Sequence, residues 1–160
     1  DKVLIDRKHP HFEEIAQKIE SELNKHDIQI IATDDLLKCL KTTAEINSKS
    51  IWSEEFLSKK AAMGTVDGLE NAIEFINTYS GGHSNIILTE NTADASTFME
   101  QIDSAAVYHN ASTRFTDGGQ MGVGAELAIS TDKLHHRGPL GLKQLVTNKY
   151  YILGNGQIRE

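Results

Sequence analysis

The chain has 160 residues, 39% of them hydrophobic and 24% charged, which is enough to bury the core of one domain and too apolar for a disordered tail. Its 16 Lys and Arg against 23 Asp and Glu leave a formal net charge of -7, and the scattered lysines exclude nucleic acid as the main partner, because phosphate-backbone binding needs a concentrated basic face. The single cysteine, Cys39, excludes an internal disulfide framework and a multi-cysteine metal cluster and suits a reducing, cytoplasmic setting, while no apolar run reaches the roughly 20 residues that cross a bilayer.

In chain order, Val3-Leu4-Ile5 reads as a strand, Asp6 to Pro10 as a turn, and Phe12, Ile15, Ala16, Ile19 and Leu23 recur at helical spacing. His9 and His11 flank Pro10, but two histidines without a third ligand are weak evidence of a metal. Ile28, Ile30 and Ile31 predict a second strand. Asp34 can cap a helix carrying Leu36, Leu37 and Leu40. Cys39 falls on that helix, where a small semi-buried hydrophobe is the better reading than a nucleophile, since no histidine is near it in sequence. Lys41 to Ser50 lacks periodicity and reads as a loop. Ile51 to Leu57 then places the carboxylate pair Glu54-Glu55 between Trp52 and Phe56; both a site and an amphipathic turn with solvated glutamates fit this pattern.

Further on, Ala61 to Val66 predicts a strand, Gly68 to Tyr79 a helix, and Ile86 to Leu88 a strand, with His83 in the glycine-rich bend before it as a turn residue. Thr92 to Ile102 predicts a helix burying Ala95, Phe98, Met99 and Ile102, and Ala105 to Asn110 a strand. Strands alternating with crossover-length helices imply an α/β fold, a mostly parallel sheet with helices on both faces, whose ligands bind beyond the carboxyl ends of strands. Lys149 to Leu153 predicts a terminal strand whose edge invites pairing with another subunit. No repeat, low-complexity segment or linker divides the chain, so one domain is the expected count. The opening residues, DKVLIDRKHP, carry no signal-peptide apolar region and begin within a strand, as a fragment would.

The stretch from Ala106 to Leu142 concentrates chemistry. Six of the 12 glycines lie between Gly118 and Gly141, and two of the four arginines, Arg114 and Arg137, fall within it. Ser112, Thr113 and Arg114 are consecutive donors just past a strand end, an arrangement suited to a carboxylate or phosphate because guanidinium can bind such groups bidentately. A long surface loop is the alternative. Gly122-Val123-Gly124 lacks the third glycine of a dinucleotide fingerprint. Asn110-Ala111-Ser112 matches a glycosylation acceptor, an accidental match in a chain without a signal sequence.

Residues 110–119 (NASTRFTDGG), Gly124-Ala125-Glu126, Ile129-Ser130-Thr131 and Arg137-Gly138-Pro139 together resemble the γ-glutamyl phosphate reductase family, of the aldehyde dehydrogenase superfamily. Lys149-Tyr150, Gly156 to Arg159 and the Trp52 to Leu57 segment follow in the same order, so the resemblance spans the chain and covers the family's C-terminal portion. It implies an aldehyde-dehydrogenase-like catalytic domain, with the nucleotide-binding domain and nucleophilic cysteine upstream of Asp1, and NADPH-dependent reduction of γ-glutamyl phosphate to glutamate 5-semialdehyde in proline biosynthesis. It also implies that Glu55 contacts a cofactor ribose and that Ser112, Thr113 and Arg114 hold the substrate's amino-acid end or its phosphate. Lys149 to Leu153 would be an oligomerisation strand of a homo-oligomer, and Cys39 is not the family's nucleophile. His109, Met121, Ala128 and His136 depart from the family pattern without removing a donor from the loop, and Ser53-Glu54 departs from it beside Glu55. An isolated fragment of this kind is expected to be inactive. A non-catalytic anion-binding or self-association module, or the reductase part of a kinase-reductase fusion, are the competing readings.

Overall fold

A computed structural model of the protein describes residues 1–42 and 44–159. Strands β1 (Lys2–Asp6), β2 (Gln29–Ala32) and β3 (Lys60–Val66) pair in parallel in the order β1-β3-β2. Period-two alternation divides their side chains between two apolar layers. On one face Ile5, Ile30, Ala32 and Met63 pack with Leu36 and with Phe12, Ile15, Ala16, Ile19 and Leu23 of helix α1 (Phe12–Lys25). On the other, Leu4, Ile31 and Ala62 meet Trp52 and Phe56 and, from helix α3 (Leu69–Tyr79), Phe75 and Tyr79. Trp52 stands edge-on to Phe75 with ring centroids 5.1 Å apart. Gly64 makes room for that ring, since a Cβ there would lie 2.7 Å from the indole.

A second parallel pair, β4 (Ser84–Ile87) and β5 (Ala106–His109), is connected through helix α4 (Thr92–Gln101). The Asn91 side chain caps α4 by accepting the N–H groups of Ala93 and Asp94 at 3.0 and 3.3 Å. Ile73 of α3 and Phe98 with Ile102 at the end of α4 pack on Ile87 and Val107. The chain beyond His109 meets the opposite face of this pair through Thr116, against Ser84 and Tyr108, and carries two short antiparallel strands, β6 (Ala128–Ser130) and β7 (Gly138–Leu140).

The parallel α/β class and the helices on both faces are as the residue patterns imply, but several details differ. The strands form two separate parallel sheets rather than one, because the pattern of each strand fixes its faces and not its neighbours. Asp34 is not a cap: it is the first residue of a single helical turn, α2 (Asp34–Leu37), with Thr33 preceding it. Cys39 therefore lies past that helix, its thiol donating to the Leu36 carbonyl at 3.3 Å. Met99 is half exposed, because Ala95, Phe98 and Ile102 already fill the contact of α4, and Leu88 projects into solvent beyond the end of β4. The β6–β7 pair lies where a loop without periodicity is expected. Residues 149–153 are exposed and form no strand among the described residues, so the predicted terminal strand is not seen there. The predicted loop from Lys41 to Ser50 contains residue 43, which lies outside the described residues; the buried Glu20 carboxylate holds its start by accepting the Lys41 and Thr42 N–H groups, each at 2.8 Å. No helix among the described residues is long and apolar enough to cross a membrane.

Candidate functional site

The donor loop begins where β5 ends. Asn110 adopts φ 50°, a left-handed conformation that asparagine tolerates better than most side chains, and so turns the chain back over the sheet. Three contacts fix that turn to Thr89: Asn110 Oδ1 accepts the Thr89 N–H at 3.0 Å, Asn110 Nδ2 donates to the Thr89 carbonyl at 2.9 Å, and His109 Nε2 lies 2.9 Å from the same oxygen. Ser112 follows as the cap of a 3-10 turn, Thr113–Phe115, with its Oγ accepting the Arg114 N–H at 3.3 Å. The Ser112 proton is left available to an outside acceptor. Ser112 and Arg114 are exposed and Thr113 is half-buried.

Charge pairing singles out Arg114. The stretch from Ala106 to Leu142 contains three Lys and Arg side chains. Lys133 and Arg137 both engage Asp103: Lys133 Nζ contacts one carboxylate oxygen, Arg137 Nη1 donates to the other at 2.8 Å, and Arg137 Nη2 donates to the Asp103 carbonyl at 3.1 Å. These hydrogen bonds, from Lys133 first and then Arg137, hold the Asp103 carboxyl below its ordinary value. Two nearby carboxylates are directed at backbone instead, with Glu126 accepting the Gly118 N–H at 2.8 Å and Asp117 the Gln120 N–H at 2.9 Å. No side-chain hydrogen bond or ion pair engages the Arg114 guanidinium among the described residues. Ser112, Thr113 and Arg114 are thus brought together as a set of free donors on an exposed turn, which is the chemistry an anionic ligand requires.

The rest of the loop is closely fitted. A Cβ on Gly118 would come within 2.6 Å of the Gly124 carbonyl, and one on Gly141 within 2.6 Å of the Ala125 carbonyl, so backbone passes against backbone at both positions. Leu127 N–H donates to the Leu140 carbonyl at 2.7 Å and closes the hairpin end. Thr116 is buried at 7% exposure, and its hydroxyl meets Ser84 Oγ at 3.2 Å and the Tyr108 hydroxyl. Thr116, Glu126 and Asp103 support the loop without being apparent from sequence: Asp103 meets its partners across 30 and 34 residues, and only the density of polar residues around Thr116 hints at its role.

Glu55 is elsewhere. It stands exposed at the amino end of β3, beside Phe56, whose ring carries Lys2 Nζ at 3.5 Å from its centroid. Trp52 and Phe56 pin the turn, as the amphipathic reading requires, and no contact among the described residues joins Glu55 to Ser112, Thr113 or Arg114. Cys39 is half-buried, and burial, reinforced by Glu13, pushes its thiol above the ordinary value, the opposite of an activated nucleophile. His83 stands in the bend before β4 with Nδ1 2.8 Å from Ser84 Oγ, and the His9 ring accepts the His11 N–H at 3.1 Å.

Fold and site define a parallel α/β domain that presents an uncommitted guanidinium and two hydroxyls on a turn beyond a strand's carboxyl end. No protein-family model matches the chain. It is 46% identical over 149 residues to gamma-glutamyl phosphate reductase of Nautilia profundicola, covering 92% of this chain and 35% of the relative. With the enzyme of that name from Clostridium botulinum (strain Eklund 17B / Type B) the identity is 42% over 159 residues, 99% of this chain and 38% of the relative. Among solved structures, gamma-glutamyl phosphate reductase of Thermotoga maritima superposes over 100% of this chain and 38% of its own, with a TM-score of 0.87 at 42% identity. The Saccharomyces cerevisiae reductase of the same name matches with a TM-score of 0.55 at 32% identity, over 76% of this chain and 31% of its own. The chain is homologous to the C-terminal portion of the gamma-glutamyl phosphate reductases and spans little more than a third of the length of these curated relatives.

Proposed function

We propose that this chain is the substrate-binding part of an NADPH-dependent reductase that converts γ-glutamyl phosphate to glutamate 5-semialdehyde in proline biosynthesis, in the cytoplasm. The observation that carries the reading is the Arg114 guanidinium, which no side-chain hydrogen bond or ion pair engages among the described residues, while the neighbouring cations are committed to Asp103. The substrate is anionic at its phosphate and at its amino-acid end, and either group matches a guanidinium flanked by the Ser112 and Thr113 hydroxyls.

A reduction of an acyl phosphate of this type proceeds through displacement of phosphate by a thiolate to give a thioester, and Cys39 is unsuited to that task, with a thiol raised by burial and bonded to a backbone carbonyl. The nucleophile therefore comes from outside this chain, and the chain by itself is inactive. The cofactor, when bound, supplies the hydride. Glu55 fits a role towards its ribose: the carboxylate is exposed and can accept hydrogen bonds from hydroxyls. Residues 149–153, with Ile152 and Leu153 more than nine-tenths exposed, serve as the strand through which the subunits form a homo-oligomer.

In the intact enzyme, Arg114→Ala should weaken the interaction with the charged substrate by about 1.5 to 3 kcal/mol, a fall in kcat/KM of roughly 10- to 150-fold. Steady-state kinetics with γ-glutamyl phosphate measures this. Unchanged kinetics would remove Arg114 from the site and with it the proposal.

A further inference from the structure

Thr116 lies two residues after Arg114 and is almost wholly buried in a segment whose other side chains are mostly exposed. Its backbone N–H donates to the Thr113 carbonyl at 3.4 Å and so ends the 3-10 turn that Ser112 begins. The sheet beneath explains the burial. In the parallel register of β4 and β5, Ser84 pairs with Ala106 and Ile86 with Tyr108, so period-two alternation sends Ser84 and Tyr108 to one face, while Ile87 and Val107 go to the other and pack on the helices. The Thr116 hydroxyl sits on the first face between Ser84 Oγ, at 3.2 Å, and the Tyr108 hydroxyl. A hydroxyl carries one donor and two acceptor sites and can serve both neighbours at once. Ser84 Oγ in turn lies 2.8 Å from His83 Nδ1, extending a polar chain from the bend before β4 to the substrate loop.

We infer that Thr116 is a positioning residue for substrate recognition: its hydroxyl, joined to Ser84 and Tyr108, fixes the register of the 3-10 turn on the sheet and thereby the direction in which Arg114 points. The inference rests on the reading of Arg114 as a substrate ligand. An apolar side chain of the same volume would fill the space without fixing a direction, whereas a hydroxyl hydrogen-bonded to Ser84 and Tyr108 is held by two directional contacts. The turn is held at its first residue by the Ser112 cap and just after its last by Thr116, with the guanidinium-bearing residue between them.

The test is kinetic and uses the intact enzyme with γ-glutamyl phosphate. Thr116→Val keeps the shape and removes the hydroxyl; KM should rise about fivefold to tenfold, the loss expected of one net hydrogen bond, with kcat within about twofold of the parent. Thr116→Ser should bring KM back to within about twofold, and Thr116→Val with Arg114→Ala should raise KM by less than the product of the single effects, since the two do not act independently. A KM for Thr116→Val equal to the parent's, or kcat and KM changing together without rescue by Ser, would overturn the inference. If Thr116→Val does not fold, Tyr108→Phe carries the test with the same expected rise in KM, and an unchanged KM there overturns it. Failure of this inference leaves the Arg114→Ala effect intact, whereas failure of the substrate-site reading abolishes that effect itself.

Discussion

In the β1-β3-β2 sheet and the helical turn packed on it, Ala32, Leu36, Ala62 and Met63 are wholly removed from solvent, and neighbouring strands are joined by backbone hydrogen bonds. Across the β4–β5 pair, the 110–142 segment keeps most of its side chains in solvent, and carboxylates, hydroxyls and amides anchor it: Asn110 on Thr89, Thr116 on Ser84 and Tyr108, Glu126 on Gly118, Asp103 on Lys133 and Arg137. Apolar burial is strong and non-directional, so it makes a platform that resists unfolding. Hydrogen bonds contribute about 1 kcal/mol each but have direction, so they suit the placing of a guanidinium at a defined spot. The two regions divide stability from aim.

Perturbations of the two regions should separate accordingly. The largest effect is expected from Met63→Ala, which opens a cavity between α1 and the sheet; a loss of about 2 to 5 kcal/mol should appear in denaturant unfolding, with KM for substrate little changed in the fraction that remains folded. An equal or greater loss from a change confined to the 110–142 segment would break the contrast. Glu55→Gln comes next, at about 1 kcal/mol, because glutamine retains one acceptor but no charge; cofactor should bind roughly fivefold more weakly with unfolding unaltered, and an unchanged cofactor dissociation constant would return Glu55 to a solvated turn. The smallest effect concerns Asp103, a surface carboxylate whose ion pairs are screened. Its carboxyl titrates below the ordinary 3.8, so its hold on residues 131–137 is complete above that value and is lost as pH falls through the lower folded value. Amide NMR signals of those residues should shift in that acid window, and Asp103→Asn should remove the step.

Sequence patterns disclosed the first region far better than the second, and the reason is physical. Apolar positions recurring at 3.6 or 2 residues are the direct trace of a buried face, so Ile15, Ala16, Ile19 and Ile30, Ile31 announce their elements. The same pattern does not say which strands are neighbours, which is why two sheets are found where one is expected, and it does not say how wide a contact is, which is why Met99 is left outside it. Hydrogen-bonded anchors have no period. Ser112, Thr113 and Arg114 stand out because they are consecutive donors past a strand, whereas Thr116 and Glu126 resemble any polar loop residue, and Asp103 gives no local sign of cations 30 and more positions away. Residues 149–153 show the complementary limit: their apolar side chains are evident in the sequence, but apolar content alone does not make a strand, and none forms there among the described residues.

Hydrogen exchange on the intact enzyme, with and without a non-hydrolysable phosphonate analogue of γ-glutamyl phosphate, tests most directly whether the turn beyond β5 receives the substrate. Amides of β1, β2 and β3 should exchange slowly in both states, whereas those of residues 112–118 should exchange markedly more slowly with the analogue bound than without it. Unchanged exchange over residues 112–118 at saturating analogue, with protection confined to other segments, would contradict it.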